Sequence, residues 1–264
     1  MGSGRFGSYV ALGDSFTEGI DDPRGDGTYR GWADLVALRL AEESDGFRYA
    51  NLAVRGRLLE PVIEEQLPLA VRMQPDLVSF SAGGNDALRR RFDPELVEQA
   101  YDGAIARLRT TGSAVVVFTP ADVTQLLPAR RYQMPRIEVM IDVVRRTANQ
   151  HGAMLVDLWT DDALRDRRMW SIDRLHLSTA GHQRVAAHVL DALGVPAEPA
   201  WLAAPPAALP ATWVRARADD LRWARLHLAP WIGRRLRGRS SGDNVTAKRP
   251  ALDALAARRS AQDG

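Results

Sequence analysis

Short apolar runs alternate with longer amphipathic stretches from the start of the chain to about residue 195. The apolar runs are almost continuous, as in parallel strands covered on both faces, and the stretches between them have helical spacing. The alternation predicts strand–helix units around a parallel sheet. The predicted strands are residues 9–12, 48–52, 77–81, 114–119 and 154–158, and the predicted helices are residues 32–41, 58–72, 94–111, 137–151 and 178–193.

This pattern stops near residue 195, which divides the chain into three predicted parts. Residues 1–195 form the α/β domain, and residues 196–212 are a linker rich in proline and alanine. Residues 213–264 are a basic extension. Its first part is predicted to be helical, because apolar residues recur there at helical spacing, and the part after Pro230 is predicted to be irregular.

Charge is distributed unevenly between these parts. The formal net charge of the 264 residues is +2, but residues 1–210 carry −5 and the remainder carries +7. The chain has no cysteine, which excludes disulfides, thiolate metal sites and a thiol nucleophile. It also lacks a run of about 20 apolar residues, and its first strand leaves no room for a signal peptide, so we expect a cytoplasmic protein.

Three interpretations are open for the basic extension. It could pack on the α/β domain, lie on an anionic membrane surface, or bind nucleic acid. We favour packing, then a peripheral membrane contact, and we disfavour nucleic acid because no recognition fold accompanies the arginines. The anchors for packing would be Trp213, Trp223 and Trp231, and the residues for nucleic acid would be Arg234, Arg235, Arg237 and Arg239.

Candidate chemistry begins where the first predicted strand ends. Ser15 follows Gly13 and Asp14 in a tight turn, which is a suitable position for a nucleophile. Far downstream, Asp173 and His176 supply a carboxylate and an imidazole three residues apart. A serine hydroxyl needs these two groups to attack a carbonyl near neutral pH. The alternative role of Ser15 is to cap the following helix.

The loops after the first three parallel strands should share one crevice at the carboxyl end of the sheet. The second of these loops contains Gly56, and the third contains Asn85. A glycine lets its backbone N–H approach a ligand closely, and an Asn amide adds a side-chain donor, so both suit an oxyanion hole. Asn85 could instead only stabilise its Gly-Gly turn. Asp21, Asp22 and Asp26 lack the ligand order of a calcium loop, and we expect them in a solvated loop.

These residues resemble the motifs of the SGNH, or GDSL-type, hydrolases over roughly residues 8–195. The matching motifs are Gly-Asp-Ser at Ser15, the isolated Gly56, Gly-x-Asn-Asp at Asn85 and Asp-x-x-His ending at His176. The resemblance implies a three-layer α/β/α sandwich of flavodoxin-like topology, with a parallel five-stranded sheet. It also implies Ser15 as nucleophile, His176 as general base and Asp173 as its partner. The oxyanion donors would be the N–H groups of Ser15 and Gly56 and the Asn85 side chain.

The function expected from this reasoning is cleavage of carboxylic esters of a small molecule or lipid, through an acyl-enzyme and without metal or cofactor. The first alternative is a thioesterase or lysophospholipase with the same site. A second alternative, of another class, is an inactive hydrolase fold that binds a membrane or a partner through the basic extension. The intact set of five site residues argues against the second alternative.

Overall fold

A mostly parallel sheet forms the centre of the protein. The computed structural model describes residues 5–89, 91–122, 130–203, 217, 220–230, 233 and 240–256. The strands in these ranges are β1 (Ser8–Gly13), β2 (Arg48–Asn51), β3 (Leu77–Ser81), β4 (Ala114–Phe118), β5 (Met154–Val156) and β6 (Arg249–Ala254). Their order is β5-β4-β3-β1-β2-β6, and β1 to β5 pair in parallel. The predicted parallel core and its flavodoxin-like order are therefore confirmed.

Helices cover both faces of this sheet. They are α1 (Ser15–Glu18), α2 (Gly31–Glu43), α3 (Leu59–Pro61), α4 (Leu67–Met73), α5 (Gly84–Ala87), α6 (Pro94–Arg109), α7 (Arg130–His151) and α8 (Thr179–Leu193), with 3-10 turns at Leu158–Thr160, Asp162–Arg165, Arg167–Met169 and Pro199–Leu202 and π turns at Val62–Gln66 and Ala224–Leu228. Alternate residues of a strand point to opposite faces. Tyr9 and Ala11 of β1 pack with α2 and α8, whereas Val10 and Leu12 pack with α3, α4, α6 and α7. The result is the predicted three-layer arrangement.

Several predicted helix ends agree with the structure. Asp93 caps α6 by accepting hydrogen bonds from Glu95 N and Leu96 N, and Pro94 occupies the first turn, where no N–H is required. Gly152 follows α7 with a φ of 61°, which suits a C-terminal glycine cap. Ser178 caps α8 through the N–H of Gly181. Capping side chains and a glycine in the left-handed conformation therefore mark these helix ends.

The start of α7 differs from the prediction. The sequence predicts a loop over residues 120–135, of which residues 123–129 lie outside the described residues. The helix already begins at Arg130 and includes Pro135 near its start. Its buried side chains, such as Met140 and Val144, hold the helix against the sheet, so it tolerates the lost hydrogen bond. No helix in the described ranges, α7 included, is long and apolar enough to cross a bilayer.

The extension also differs from the prediction. The sequence predicts an irregular chain after Pro230, but β6 adds an antiparallel strand to the open edge of β2, so the described sheet has one strand more than predicted. The aligned pairs include Arg48 with Ala254 and Tyr49 with Asp253. An edge strand pairs through its backbone, so it needs no continuous apolar run that a sequence pattern could reveal. Of the linker, residues 204–212 lie outside the described residues.

Candidate active site

The turn that carries Ser15 is held rigidly at the carboxyl end of β1. Gly13 has a φ of 152°, and a Cβ atom there would lie 2.5 Å from the Ser81 carbonyl oxygen, so the position requires glycine. The Gln66 side chain accepts from Gly13 N at 2.8 Å and donates to Gly13 O at 2.9 Å. Ser15 then begins α1, where its N–H has no intrahelical acceptor. Its backbone N–H is therefore suited to bind an oxyanion.

Asp14 connects this turn to the loop after β3. One carboxylate oxygen of Asp14 accepts from Phe16 N at 3.0 Å and caps α1, and the other accepts from Asn85 Nδ2 at 2.9 Å. Burial raises the pKa of Asp14 to about 6, although the hydrogen bond from Phe16 N and the charge of His176 oppose the rise. Asp14 therefore shapes the turn, caps α1 and links the turn to Asn85.

Asn85 also reaches the loop after β2. Its Nδ2 donates to the Arg57 carbonyl oxygen at 3.0 Å, so its two amide protons bridge the first loop to the second. The neighbouring Asp86 instead accepts from Leu59 N at 2.9 Å. Asn85 therefore lies between the predicted oxyanion loops, and in this state its amide protons are bound to protein acceptors.

The loop with Gly56 is tied to α1 by an ion pair. The buried Glu18 carboxylate pairs with the Arg55 guanidinium and accepts from Arg55 N at 2.7 Å. Gly56 follows with a φ of 74°, a left-handed conformation that favours glycine. The structure thus holds the Gly56 backbone close to the helix that Ser15 begins.

Asp173 and His176 are in direct contact. Asp173 Oδ2 lies 2.6 Å from His176 Nδ1, and Oδ1 accepts from Leu175 N and His176 N, each at 2.9 Å. Burial favours neutral groups, but the hydrogen bond and the opposite charges dominate. They hold the pKa of Asp173 well below its usual range and raise the pKa of His176. This geometry fixes the Nδ1–H tautomer of a neutral ring and leaves Nε2 as the basic nitrogen.

The ring of His176 lies close to the segment that follows α1, because its Nδ1 is 3.9 Å from Asp21 Oδ2. The charges of Asp14 and His176 shift each other's pKa, that of Asp14 downward and that of His176 upward. The structure thus brings Asp173 and His176 together directly, connects Asn85 to the residue before Ser15, and places Gly56 on the adjoining loop. These groups are the components that acyl transfer to a serine requires.

Sequence reasoning missed Asp21, whose carboxylate is also near His176. Asp21 Oδ2 lies 3.9 Å from His176 Nδ1 and 2.5 Å from Ser171 Oγ, which is itself 2.8 Å from Asp173 Oδ1. The expectation of a solvated loop is also wrong for Asp22, which is buried and pairs with Arg30. Asp26 is exposed as expected. Asp21 and Ser171 are 150 positions apart, so no local motif links them.

One group of three described residues has oxygen and nitrogen atoms close enough together to hold a metal ion: Asp21, Asp173 and His176. Hydrogen bonds within the protein also hold these atoms together, since Asp173 contacts His176 and the Ser171 hydroxyl lies between the two carboxylates. The protein interactions alone therefore account for this arrangement.

A comparison with known proteins shows which family this chain belongs to. The sequence model of the GDSL-like lipase/acylhydrolase family matches residues 11–184, about two thirds of the chain. The chain belongs to this family. The match contains Ser15, Gly56, Asn85, Asp173 and His176, and it ends before the linker and the basic extension. The GDSL resemblance predicted from the motifs is therefore confirmed.

Known esterases are among the similar proteins. Esterase TesA of Pseudomonas aeruginosa is 26% identical over 180 residues, which are 68% of this chain and 84% of that protein. An α/β hydrolase enzyme from the metagenome of Lake Arreo superposes with a TM-score of 0.59 and 25% identity, covering 74% of this chain and 97% of its own. An acetyl-xylooligosaccharide esterase from Geobacillus, at 20% identity, shares the fold with a TM-score of 0.59 over 75% of this chain and 99% of its own.

Proposed function

We propose that this GDSL-family protein is a serine hydrolase that cleaves carboxylic esters through an acyl-enzyme. The observation that carries the proposal is the 2.6 Å contact between Asp173 and His176, whose Nδ1 also lies 3.9 Å from Asp21 in the segment that follows the Ser15 helix. The similarity to esterase TesA supports an ester as the bond that is cleaved. The substrate would be an ester of a small molecule or a lipid.

In the proposed reaction, His176 Nε2 accepts the Ser15 proton while Ser15 Oγ attacks the ester carbonyl carbon. The carbonyl oxygen becomes an oxyanion, and the N–H groups of Ser15 and Gly56 donate to it. His176 then gives its proton to the departing alcohol, and the acyl group stays on Ser15. Water is deprotonated by His176 and attacks the acyl-enzyme, the bond between Ser15 Oγ and the acyl carbon breaks, and His176 returns the proton to Ser15 Oγ as the carboxylic acid leaves. Asp173 stabilises the imidazolium ion that forms in both halves of the reaction.

The Asn85 amide is the third proposed donor to the oxyanion. In the resting state its protons are bound to Asp14 and Arg57 O, so one of them must turn toward the oxyanion or be shared with it. We expect Asn85→Ala to lower kcat by about 10² to 10³ with little change in KM. Steady-state kinetics on a short-chain ester would measure this, with thermal unfolding to check the fold. A change confined to KM would contradict the assignment.

The pH dependence of kcat/KM should depend on Asp21. His176 must be neutral to accept a proton, so its raised pKa moves the acid limb of the profile to higher pH than an ordinary histidine would give. The negative charge of Asp21, 3.9 Å from Nδ1, stabilises the imidazolium ion and contributes to that rise. We expect Asp21→Asn to move the acid limb to lower pH, because the variant lacks the nearby negative charge that stabilises the imidazolium ion.

Asp26→Asn is the matched control for Asp21→Asn. Asp26 lies in the same loop, but its carboxylate is exposed and accepts hydrogen bonds from Thr28. Its replacement should leave the profile unchanged. An acid limb that moves equally in the two variants would show that Asp21 has no specific influence on His176.

A substrate panel tests the proposed function directly. Chromogenic short-chain esters, acyl-CoA and a lysophospholipid would be assayed side by side, with the Ser15→Ala protein as the blank. A higher kcat/KM for the esters than for acyl-CoA and the lysophospholipid supports the proposal. A preference for acyl-CoA or lysophospholipid would replace it with the thioesterase or lysophospholipase alternative. No hydrolysis above the blank on any of them would favour the non-enzymatic binding role.

A further inference from the structure

The basic extension contacts two loops of the proposed active site. The family match ends at residue 184, yet described residues between 220 and 256 contact both the loop of Asp173 and the loop of Gly56. We call these residues the C-terminal strap. The strap therefore contacts the two loops that hold the proposed base and a proposed oxyanion donor.

The first contact fixes the loop of Asp173 and His176. Trp223 Nε1 donates to the Asp173 carbonyl oxygen at 2.8 Å. The Arg174 guanidinium carbon lies 4.7 Å from the centre of a Trp223 ring, and Arg174 forms an ion pair with Asp220 at 2.8 Å. The strap thereby holds the backbone of Asp173 and the side chain of Arg174.

This contact matters because the loop has an unfavourable conformation. Arg174, between Asp173 and His176, has a φ of 61°, which is uncommon for a residue with a side chain. Such a conformation persists when the surrounding contacts determine it. The turn at Arg174 brings Asp173 to His176, so its relaxation would lengthen their 2.6 Å contact.

The second contact fixes the loop of Gly56. Ser240 Oγ donates to the Gly56 carbonyl oxygen at 3.3 Å, and it accepts from Gly242 N at 3.2 Å. Gly242 is buried against the same loop, where an added Cβ atom would lie 2.0 Å from the Arg55 carbonyl oxygen. The turn at residues 240–244 therefore packs against the backbone of Arg55 and Gly56.

The strap is anchored beyond this turn. Lys248 Nζ donates to the Arg30 carbonyl oxygen at 2.6 Å and pairs with Asp34 at 3.0 Å, and β6 then joins the sheet beside β2. These contacts fix the chain just after the turn at residues 240–244 to α2 and to the central sheet. The position of that turn on the Gly56 loop therefore depends on the pairing of β6 with β2.

We propose that the C-terminal strap is a built-in part of the active site, in which Trp223 positions the Asp173–His176 loop and Gly242 positions the Gly56 loop. Both are positioning residues, since they act through the proposed catalytic groups. The inference rests on the proposed function. The strap would make this chain depend on residues that the family match does not include.

The first test compares Trp223→Ala and Trp223→Phe in the full chain, on a short-chain chromogenic ester. Phenylalanine keeps an aromatic ring for Arg174 but lacks the N–H donor and the second ring of the indole. We expect Trp223→Ala to lower kcat by about 10- to 100-fold, because small displacements of catalytic groups have effects of this size. We also expect its acid limb to move to lower pH as Asp173 loosens from His176. Trp223→Phe should change both quantities in the same direction, by less.

Trp201→Phe is the control, because Trp201 precedes the strap and packs on the α8 side of the core. It should behave as the parent protein. A Trp223→Ala protein that keeps the parent kcat and acid limb would overturn the proposal. If Trp223→Ala loses its thermal transition, Trp223→Phe decides: a parental profile with a parental melting temperature overturns the proposal as well.

The second test uses Gly242→Ala, whose Cβ would push the strap away from Arg55. We expect a lower kcat with an unchanged acid limb, since the oxyanion side is disturbed and His176 is not. Gly233→Ala, where an added Cβ would meet nothing within 4 Å in the part of the chain that the structure describes, is the matched control. A parental kcat for Gly242→Ala overturns this half of the proposal. A parent protein without ester hydrolysis would instead refute the proposed function itself.

Discussion

Replacing Ser15 with alanine should lower kcat by at least about 10⁴, because the variant has no oxygen that can form the acyl-enzyme. The remaining rate would come from substrate binding and the oxyanion donors. The parent protein should also acquire one covalent label from a fluorophosphonate probe, and the Ser15→Ala protein should acquire none. Steady-state kinetics and mass spectrometry of the labelled protein measure the two results.

A serine outside the site provides the control. Ser44 follows α2 and makes no capping hydrogen bond with that helix, so Ser44→Ala should keep the parental rate and label. A label that persists in Ser15→Ala would remove Ser15 from the nucleophile's role. Retained hydrolysis in that variant, at a rate close to the parent's, would have the same meaning.

Asp173→Asn should lower kcat by about 10⁴ while leaving the fold intact. The amide oxygen can take the place of Oδ1 and still accept from the N–H groups of Leu175 and His176. The amide nitrogen then faces His176 Nδ1 in place of Oδ2. Because an amide N–H cannot accept the proton of Nδ1, the ring would adopt the other tautomer and Nε2 would no longer be basic.

The Asp173→Asn experiment needs a measurement of stability beside the kinetics. A melting temperature close to that of the parent, with a large loss of kcat, is the expected result. Loss of the thermal transition would assign Asp173 a mainly structural role in the turn. Nearly normal kcat would show that His176 does not need this carboxylate, which contradicts the proposed mechanism.

The parallel core could be predicted because its buried strands are rich in apolar residues, as in strands covered on both faces. Strands such as residues 77–81 and 114–118 are therefore visible as short runs without any knowledge of their neighbours. Helix ends were predictable where a cap residue marks them, as Ser178 does for α8. Local physical chemistry decides these features, so local sequence is sufficient for them.

The motif residues of the candidate site could be found for the same reason. Asp173 and His176 are three positions apart, and the backbone turn between them brings their side chains together. The contact of Asn85 with Asp14 was not predictable, since it depends on how the loops after β1 and β3 meet. Asp21 was missed because nothing in its own loop indicates that Ser171 and His176 approach it in space.

The strap was the least predictable element. Its strand β6 has the sequence Arg-Pro-Ala-Leu-Asp-Ala, which has no regular alternation of apolar and polar residues. Its position depends on backbone pairing with β2 and on Lys248, which reaches Arg30 and Asp34. Of the predicted tryptophan anchors, Trp223 contacts the α/β domain, whereas Trp213 and Trp231 lie outside the described residues, as do Arg234, Arg235, Arg237 and Arg239.

Pairing between β2 and β6 also has a consequence for synthesis on the ribosome. Arg249 Nε donates to the Tyr49 carbonyl oxygen across 200 positions of the chain, so β2 is translated long before its outer partner exists. During that interval the nascent chain exposes unpaired N–H and C=O groups along β2, which other strands could bind. Late arrival of β6 covers that edge with a strand containing Pro250 and Asp253, residues that discourage further pairing.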